Sequence, residues 1–380
     1  MGFIWGFILI FPTFAQPNLP LLGPLIGINT AEHDALILYD VGGEVYRQLD
    51  MGAGWHYFWG FSADGCRILY TLQAGTRPAK LYSARLDGSD KQALIQFEAL
   101  PPDNWGVWEP QWSPDNSKIA FTLIRNDNGR LTQHIAWIPP AGGAPTFYSV
   151  AGSEFSPQWS PDGAWLAYIS YESRAAGADA FSTAVPTPEG QTGGITTSIN
   201  EADLWVVSSD GQTKYPATGF LTGSVTQPRW SPDGQLISFV YSPSGNNDTF
   251  WMIGAQQGAV PTQLSFTWSR VLDHTWLPDS SAVLGVAREF RDMAQNRLWQ
   301  IPLVGNADDT AVLYLENLAL NHADYPRFSA DGQWLAVRSA YELALVHRLT
   351  GDMVLLDKMT IGNTPVFWSP AGFDGERECG

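Results

Sequence analysis

Cysteine is almost missing from this chain: Cys66 and Cys379 are the only two. So few exclude a small disulfide-stapled domain and a cysteine-built metal centre. Basic residues are scarce too. Lysine and arginine total 21 against 38 aspartates and glutamates, a net charge of −17. Such a field repels phosphate backbones and anionic lipids, which excludes nucleic acid as a partner. The lysines (Lys80, Lys91, Lys118, Lys214, Lys358) form no basic cluster.

Long apolar runs are confined to the N-terminus, "MGFIWGFILIFPTFAQPNLP". The run is shorter than the roughly 20 residues that cross a bilayer, and Pro12 interrupts it, so no stable membrane span is expected. Its length suits a signal-peptide core, and Thr13-Phe14-Ala15 fits a small-x-small cleavage site, although no basic segment precedes it. Residues 1–15 therefore read as a signal peptide and 16–23 as a linker, with a buried strand or a retained anchor as the alternatives. The expected location is secreted or periplasmic.

Catalytic signatures are lacking as well. There is no Gly-x-Ser-x-Gly elbow, His-Glu-x-x-His helix, phosphate-binding P-loop or Cys-x-x-Cys. His33, His56, His134, His274, His322 and His347 occur singly. The expectation is a chain with no metal, no cofactor and no catalysis of its own.

What is present is a phrase that returns. "QWSPDGAWLAYIS" (158–170) reads as a strand, a tight turn and a second strand. Ser160, Pro161, Asp162 and Gly163 suit the four positions of a type I turn, and the residues after it alternate with period two. Related phrases begin at Gly60, Gln111, Arg229, Thr275 and Arg327, with a truncated copy at Phe367. The turn aspartates Asp64, Asp115, Asp162, Asp233, Asp279 and Asp331 lie 51, 47, 71, 46 and 52 residues apart. A period of roughly 40–50 residues marks a propeller with one four-stranded blade per repeat.

The segments between copies supply the third and fourth strands, with hairpin turns at Asp87-Gly88, Asp210-Gly211 and Gly351-Asp352. Asn128-Gly129 reads as a further hairpin rather than a calcium loop. Residues 24–49 hold three strands with no first strand before them, and 363–370 hold a first strand with no partner after it. The two fragments complete one blade. The expected fold is therefore an all-β, seven-bladed β-propeller over 24–370, closed by its termini and followed by a polar tail, 371–380. Such closure removes exposed sheet edges. Cys66 and Cys379 fall on neighbouring blades, which makes a disulfide geometrically possible and leaves it open.

The Trp-Ser-Pro-Asp-Gly phrase resembles the signature of TolB-type β-propeller repeats, over nearly all of 24–370. The resemblance implies a scaffold of cell-envelope assemblies. This chain has only about twenty residues where TolB carries a separate α/β domain. Within the motif the aromatic before the turn (Phe61, Trp112, Trp159, Trp230, Trp276, Phe328, Trp368) is expected to pack between blades. Burying such a ring contributes at most about 4–6 kcal/mol. The aspartates are expected to hydrogen-bond within their own turns.

Candidate binding residues lie on the segments leading into each blade, around the mouth of the central channel. They are Trp55, His56, Tyr57, Trp105, Trp108, Glu109, Glu154, Asp273, His322 and Asp324. Rigid rings beside fixed charges suit recognition, and inter-blade packing is the alternative for the aromatics. The one long insertion, within 171–203, hangs on the same face. The expected protein is a monomeric, non-catalytic scaffold that binds a protein, peptide or glycan. The alternatives are a glycan hydrolase or lyase using channel-mouth carboxylates, or the propeller of a prolyl-oligopeptidase-like protein without its hydrolase domain.

Overall fold

The computed structural model describes residues 24–380 except 97–100, 128, 150–152, 172–201, 221, 244–247, 266–269, 290–291, 306, 317–322, 340–341, 358–364, 374–378 and 380. The expected signal peptide, linker and most of the insertion lie outside the described residues.

Seven antiparallel sheets of four strands form the blades of a β-propeller. Among the described residues helix is limited to one-turn segments at Pro102–Asn104 and Ala307–Thr310. The first strand of each sheet lies against its neighbours' first strands and lines the axis. In blades 1 to 6 these inner strands are Trp55–Phe61, Trp105–Trp112, Glu154–Trp159, Ser224–Trp230, Arg270–Trp276 and Asp324–Phe328. Blade 7 takes its inner strand, Phe367–Trp368, from the C-terminus and its other three from Ile26–Asn29, Ala35–Tyr39 and Val45–Asp50.

The repeated turn works as its residue types predict. In blade 3 the Gly163 amide donates to the Ser160 carbonyl at 2.9 Å, closing the type I turn. Gly163 then takes φ 69°, the left-handed geometry that glycine tolerates, within the four-residue loop 161–164 between the paired Ser160 and Trp165. The Ser160 hydroxyl donates to Asp162 at 2.6 Å, the Ala164 amide donates to the same carboxylate oxygen, and the Trp165 amide donates to Ser160 Oγ. Asp64, Asp115, Asp233 and Asp331 repeat the pattern with their own serines. Asp279, with no serine at the corner, is held by Ser281 instead.

Seven buried apolar clusters hold the ring, each shared by two neighbouring blades, and each of the seven motif aromatics packs in or against one. Three tryptophans also stitch the inner strands together. Trp230, Trp276 and Trp368 donate their indole N–H to the carbonyls of Gln158, Arg229 and Arg327 in the preceding blade, at 3.0–3.1 Å.

The polar tail does more than trail. Cys66 and Cys379 form a disulfide with Cα atoms 5.2 Å apart, and Arg85 donates to the Cys379 carbonyl. Phe373 is buried against the turn at Gly65, where a Cβ would stand 2.3 Å from the phenyl ring.

Candidate functional site

The channel wall is shaped by one irregularity repeated around the ring. In blades 2, 3, 4 and 6 two residues of the inner strand face one of its partner: Glu109-Pro110, Ser156-Pro157, Gln227-Pro228 and Tyr325-Pro326. Each is a β-bulge, and proline fits there because a bulge leaves an amide out of the ladder. The residue before each proline has positive φ, between 47° and 55°. A non-glycine residue in this geometry costs of order 1 kcal/mol, and such strain concentrates at functional sites. Blades 1 and 5 have related register shifts around Trp59 and Leu272.

Around the mouth at blades 7, 1 and 2 runs a line of rings. Trp55 is 59% exposed and stacks on His33 at 6.0 Å, and Tyr57 tilts against His33 at 4.9 Å. Trp108, 41% exposed, meets Tyr57 and Trp59 edge-on at 5.9 and 5.2 Å. Beside it opens a pocket of about 350 Å³ lined by Trp108, Glu109, Thr122, Ile124, Gln133, Phe155 and Tyr171. Burial raises the Glu109 carboxyl above its usual range, against the opposing pull of Ser156 and Arg229. Among the described residues its Oε2 finds no hydrogen-bond partner.

At the inner strands of blades 4 to 6, two arginines share one carboxylate. Arg229 reaches Asp273 Oδ1 at 3.3 Å and Arg327 reaches Oδ2 at 2.9 Å. Burial pushes Asp273 up, but Arg327 and Arg229 outweigh it and hold the carboxyl below its ordinary range. Burial and the neighbouring Arg327 bring Arg229 down to about 10. His274 is buried, bonded through Nε2 to Ser238 Oγ at 2.8 Å, and lowered to about 3 by burial and Arg229. Asp324 accepts the Tyr325 amide at 2.9 Å and is raised by burial and by Asp273.

The expected binding residues therefore divide. Trp55, Tyr57, Trp108 and Glu109 lie along the aromatic rim, and Asp273 and Asp324 belong to the charged cluster. Three others are not at a surface. His56 is buried with Nδ1 3.3 Å from the His33 carbonyl. Trp105 is buried under Lys80, whose ammonium sits 3.4 Å from the ring centre. Glu154 is fully buried, 4.0 Å from His134. His322 lies outside the described residues.

Ser156, Tyr171, Gln227, Arg229 and Arg327 are not singled out by the sequence, whereas Phe155 and Tyr325 belong to the aromatic segments leading into the blades. A signal was available: proline two residues before the motif aromatic in "EPQW", "SPQW", "QPRW" and "YPRF" marks the bulge and the side chains beside it. A groove of about 690 Å³ lies on the opposite face between the turns of blades 3 and 4, with Asp162, Trp165, Tyr215 and Gln256 among its walls. Among the described residues no group of three or more His, Cys, Asp or Glu could hold a metal ion. No described helix is long and apolar enough to cross a membrane.

No family model and no curated protein matches the sequence. Solved structures match in shape. An oligogalacturonate lyase in complex with manganese aligns at TM-score 0.55 and 16% identity, over 90% of this chain and 93% of that one. A puromycin-hydrolysing peptidase from Mycobacterium tuberculosis aligns at 0.59 and 16%, over 88% of this chain and 53% of its own length. TolB from Acinetobacter baumannii aligns at 0.48 and 14%, over 90% and 81%. These identities establish shared architecture alone. They also correct one expectation. Absence of the familiar catalytic motifs does not make a propeller of this shape a non-enzyme, because structures that share it include a lyase and hydrolases. The chain is a seven-bladed β-propeller whose inner strands carry an aromatic rim at blades 7, 1 and 2 and a buried arginine–carboxylate cluster at blades 4 to 6.

Proposed function

We propose that the protein recognises an oligosaccharide at the channel mouth, seated on the exposed rings of Trp55 and Trp108 and in the pocket beside Glu109. The observation that carries this reading is the pocket itself. Its size is that of a small-ligand site, and it sets flat aromatic walls beside Glu109, Thr122 and Gln133, which can exchange hydrogen bonds with hydroxyl groups. A flat protein epitope would not need so small a concavity. The oligogalacturonate lyase among the similar structures is named for a sugar substrate, which supports the same class.

A second reading, cleavage of the bound sugar, is favoured by one observation. Glu109 is raised and Asp273 is lowered, and both feel Arg229. Two carboxyls pushed apart in this way suit an acid and an ionised partner. The Cys66–Cys379 disulfide supports a secreted or periplasmic location, where the oxidising compartment keeps such a bond formed.

The test is a calorimetric titration of neutral and acidic oligosaccharides against the wild type and Trp108→Ala. Recognition at the rim predicts a loss of about 2 kcal/mol or more, roughly thirtyfold in affinity, in the folded variant. Unchanged affinity moves the site elsewhere. Product formation by the wild type that is lost in Glu109→Gln supports cleavage.

A further inference from the structure

We infer that the Arg229–Asp273–Arg327 cluster is the seat for a carboxylate group carried by the ligand. The inference deepens the oligosaccharide reading above and rests on it for the ligand's body, but not for its charged group.

The charge count comes first. Two guanidinium groups share one aspartate whose side chain is 5% exposed, and their own side chains are 25% and 19% exposed. Buried charges are normally matched, and two cations against one anion leave a positive excess. The other nearby acids offset it incompletely. Burial favours the neutral form of Glu109 and of Asp324, and the Asp324 Oδ1 already accepts the Tyr325 amide. A second carboxylate would complete the cluster, and the planar fork of arginine is shaped for one.

Unused hydrogen-bonding capacity lies at the same place. Among the described residues Arg229 Nε has no partner, and neither does the Oε1 of Gln227 on the adjacent bulge. The Gln227 amide nitrogen is fixed, donating to the Leu272 carbonyl at 2.8 Å. Arg327 is likewise set in place by donating to the Pro326 carbonyl at 2.7 Å. The Arg229 Nε–H is a pre-set donor beside an unmatched charge, which suits an anion subsite because little reorganisation is needed on binding, while the Gln227 Oε1, an acceptor, suits a hydroxyl group next to the carboxylate. The strained bulges that aim these residues occur in the blades on either side.

The whole-molecule field sets a limit on the ligand. A net charge of −17 repels a polyanion before it reaches the channel. The ligand this cluster fits is a mostly neutral chain carrying one or a few carboxylates, with the acidic group in the channel and the uncharged part on the rim.

The experiment titrates malonate, which has carboxylates and no sugar, into the intact disulfide-bonded protein, with sodium chloride at equal ionic strength as the control. Binding is read by calorimetry and by the Nε–H resonance of Arg229 in 15N-arginine-labelled protein, assigned by its loss in Arg229→Lys. The inference predicts saturable malonate binding, a shift of that resonance, and at least a tenfold loss of affinity in Arg327→Lys, which keeps the charge and removes the fork. Wild-type protein that gives no more response to malonate than to chloride overturns it, whatever the variants do. So does full affinity in a folded Arg327→Lys. A neutral oligosaccharide titrated in parallel tests the rim alone: binding of malonate without the sugar leaves the carboxylate seat standing and removes the oligosaccharide reading.

Discussion

His274 and the turn aspartates respond to acid for opposite electrostatic reasons, and both destabilise the fold. The imidazole is kept neutral by burial and by Arg229, with its titration moved from 6.5 to about 3. A lowered native value means that the unfolded chain binds the proton first. Stability from this group is complete above about pH 6.5 and declines as the pH falls toward 3. The turn carboxylates are lowered by their serine hydroxyls and by backbone amides, Asp115 to about 2, with Asp162 and Asp233 moved in the same direction. Their share is present above about pH 4 and is lost between there and pH 2. A melting curve against pH should therefore fall in two stages. His274→Gln should flatten the stage between pH 6.5 and 4 and leave the lower one. If the variant keeps the wild-type slope there, the buried imidazole is not its cause.

At the scale of the element, the motif tryptophans offer a comparison within one molecule. Trp230 donates its indole N–H to the Gln158 carbonyl, whereas the buried Nε1 of Trp159 has no partner among the described residues. Trp230→Phe should cost about 1–3 kcal/mol, because it strands a carbonyl between blades, and Trp159→Phe should cost clearly less. Equal losses in chemical denaturation would mean that the ring alone matters. The strands and turns were legible in the sequence because period-two alternation and Ser-Pro-Asp-Gly chemistry are local. Which side chains reach the channel was not, and Trp105 and Trp108 show why. Both were read as mouth residues, yet one is buried beneath Lys80 and the other is exposed just before a bulge. The two stand three residues apart ahead of the bulge, on opposite faces by plain alternation, and which face meets the channel depends on pairing register, which is not written in composition. Arg229 and Arg327 each follow a bulge, which resets the face of the residues after it, so their convergence on one aspartate is not legible in the sequence.

For the whole molecule, closure of the ring decides stability. The shared blade joins residues more than 300 apart, and among the described residues its inner strand is short, pairing at Phe367 and Trp368 with Ser369 bonded to Leu25 beside them. The Cys66–Cys379 disulfide spans 313 residues of chain. Constraining so long a loop in the unfolded state contributes up to about 5 kcal/mol on an entropic account. Reduction, or Cys66→Ser, should lower the melting temperature of the entire domain in one transition rather than loosen the tail alone. An unchanged melting temperature on verified reduction would show that the short strand and Phe373 suffice. The blade count and the shared blade were legible, since the missing strand at one end matches the extra strand at the other. The disulfide was left open, because two cysteines specify a possibility and only the ring brings their Cα atoms to 5.2 Å.

The central claim is that the ligand enters on the channel side, over the aromatic rim, and not at the larger groove between the turns of blades 3 and 4. Hydroxyl-radical footprinting of the wild type, with and without an oligosaccharide that binds in the calorimetric panel, separates the two faces in one measurement. The account predicts protection of Trp55, Trp108 and Tyr171, with Trp165 and Tyr215 oxidised at an unchanged rate. Protection of Trp165 and Tyr215 with no change at Trp55 and Trp108 would contradict it.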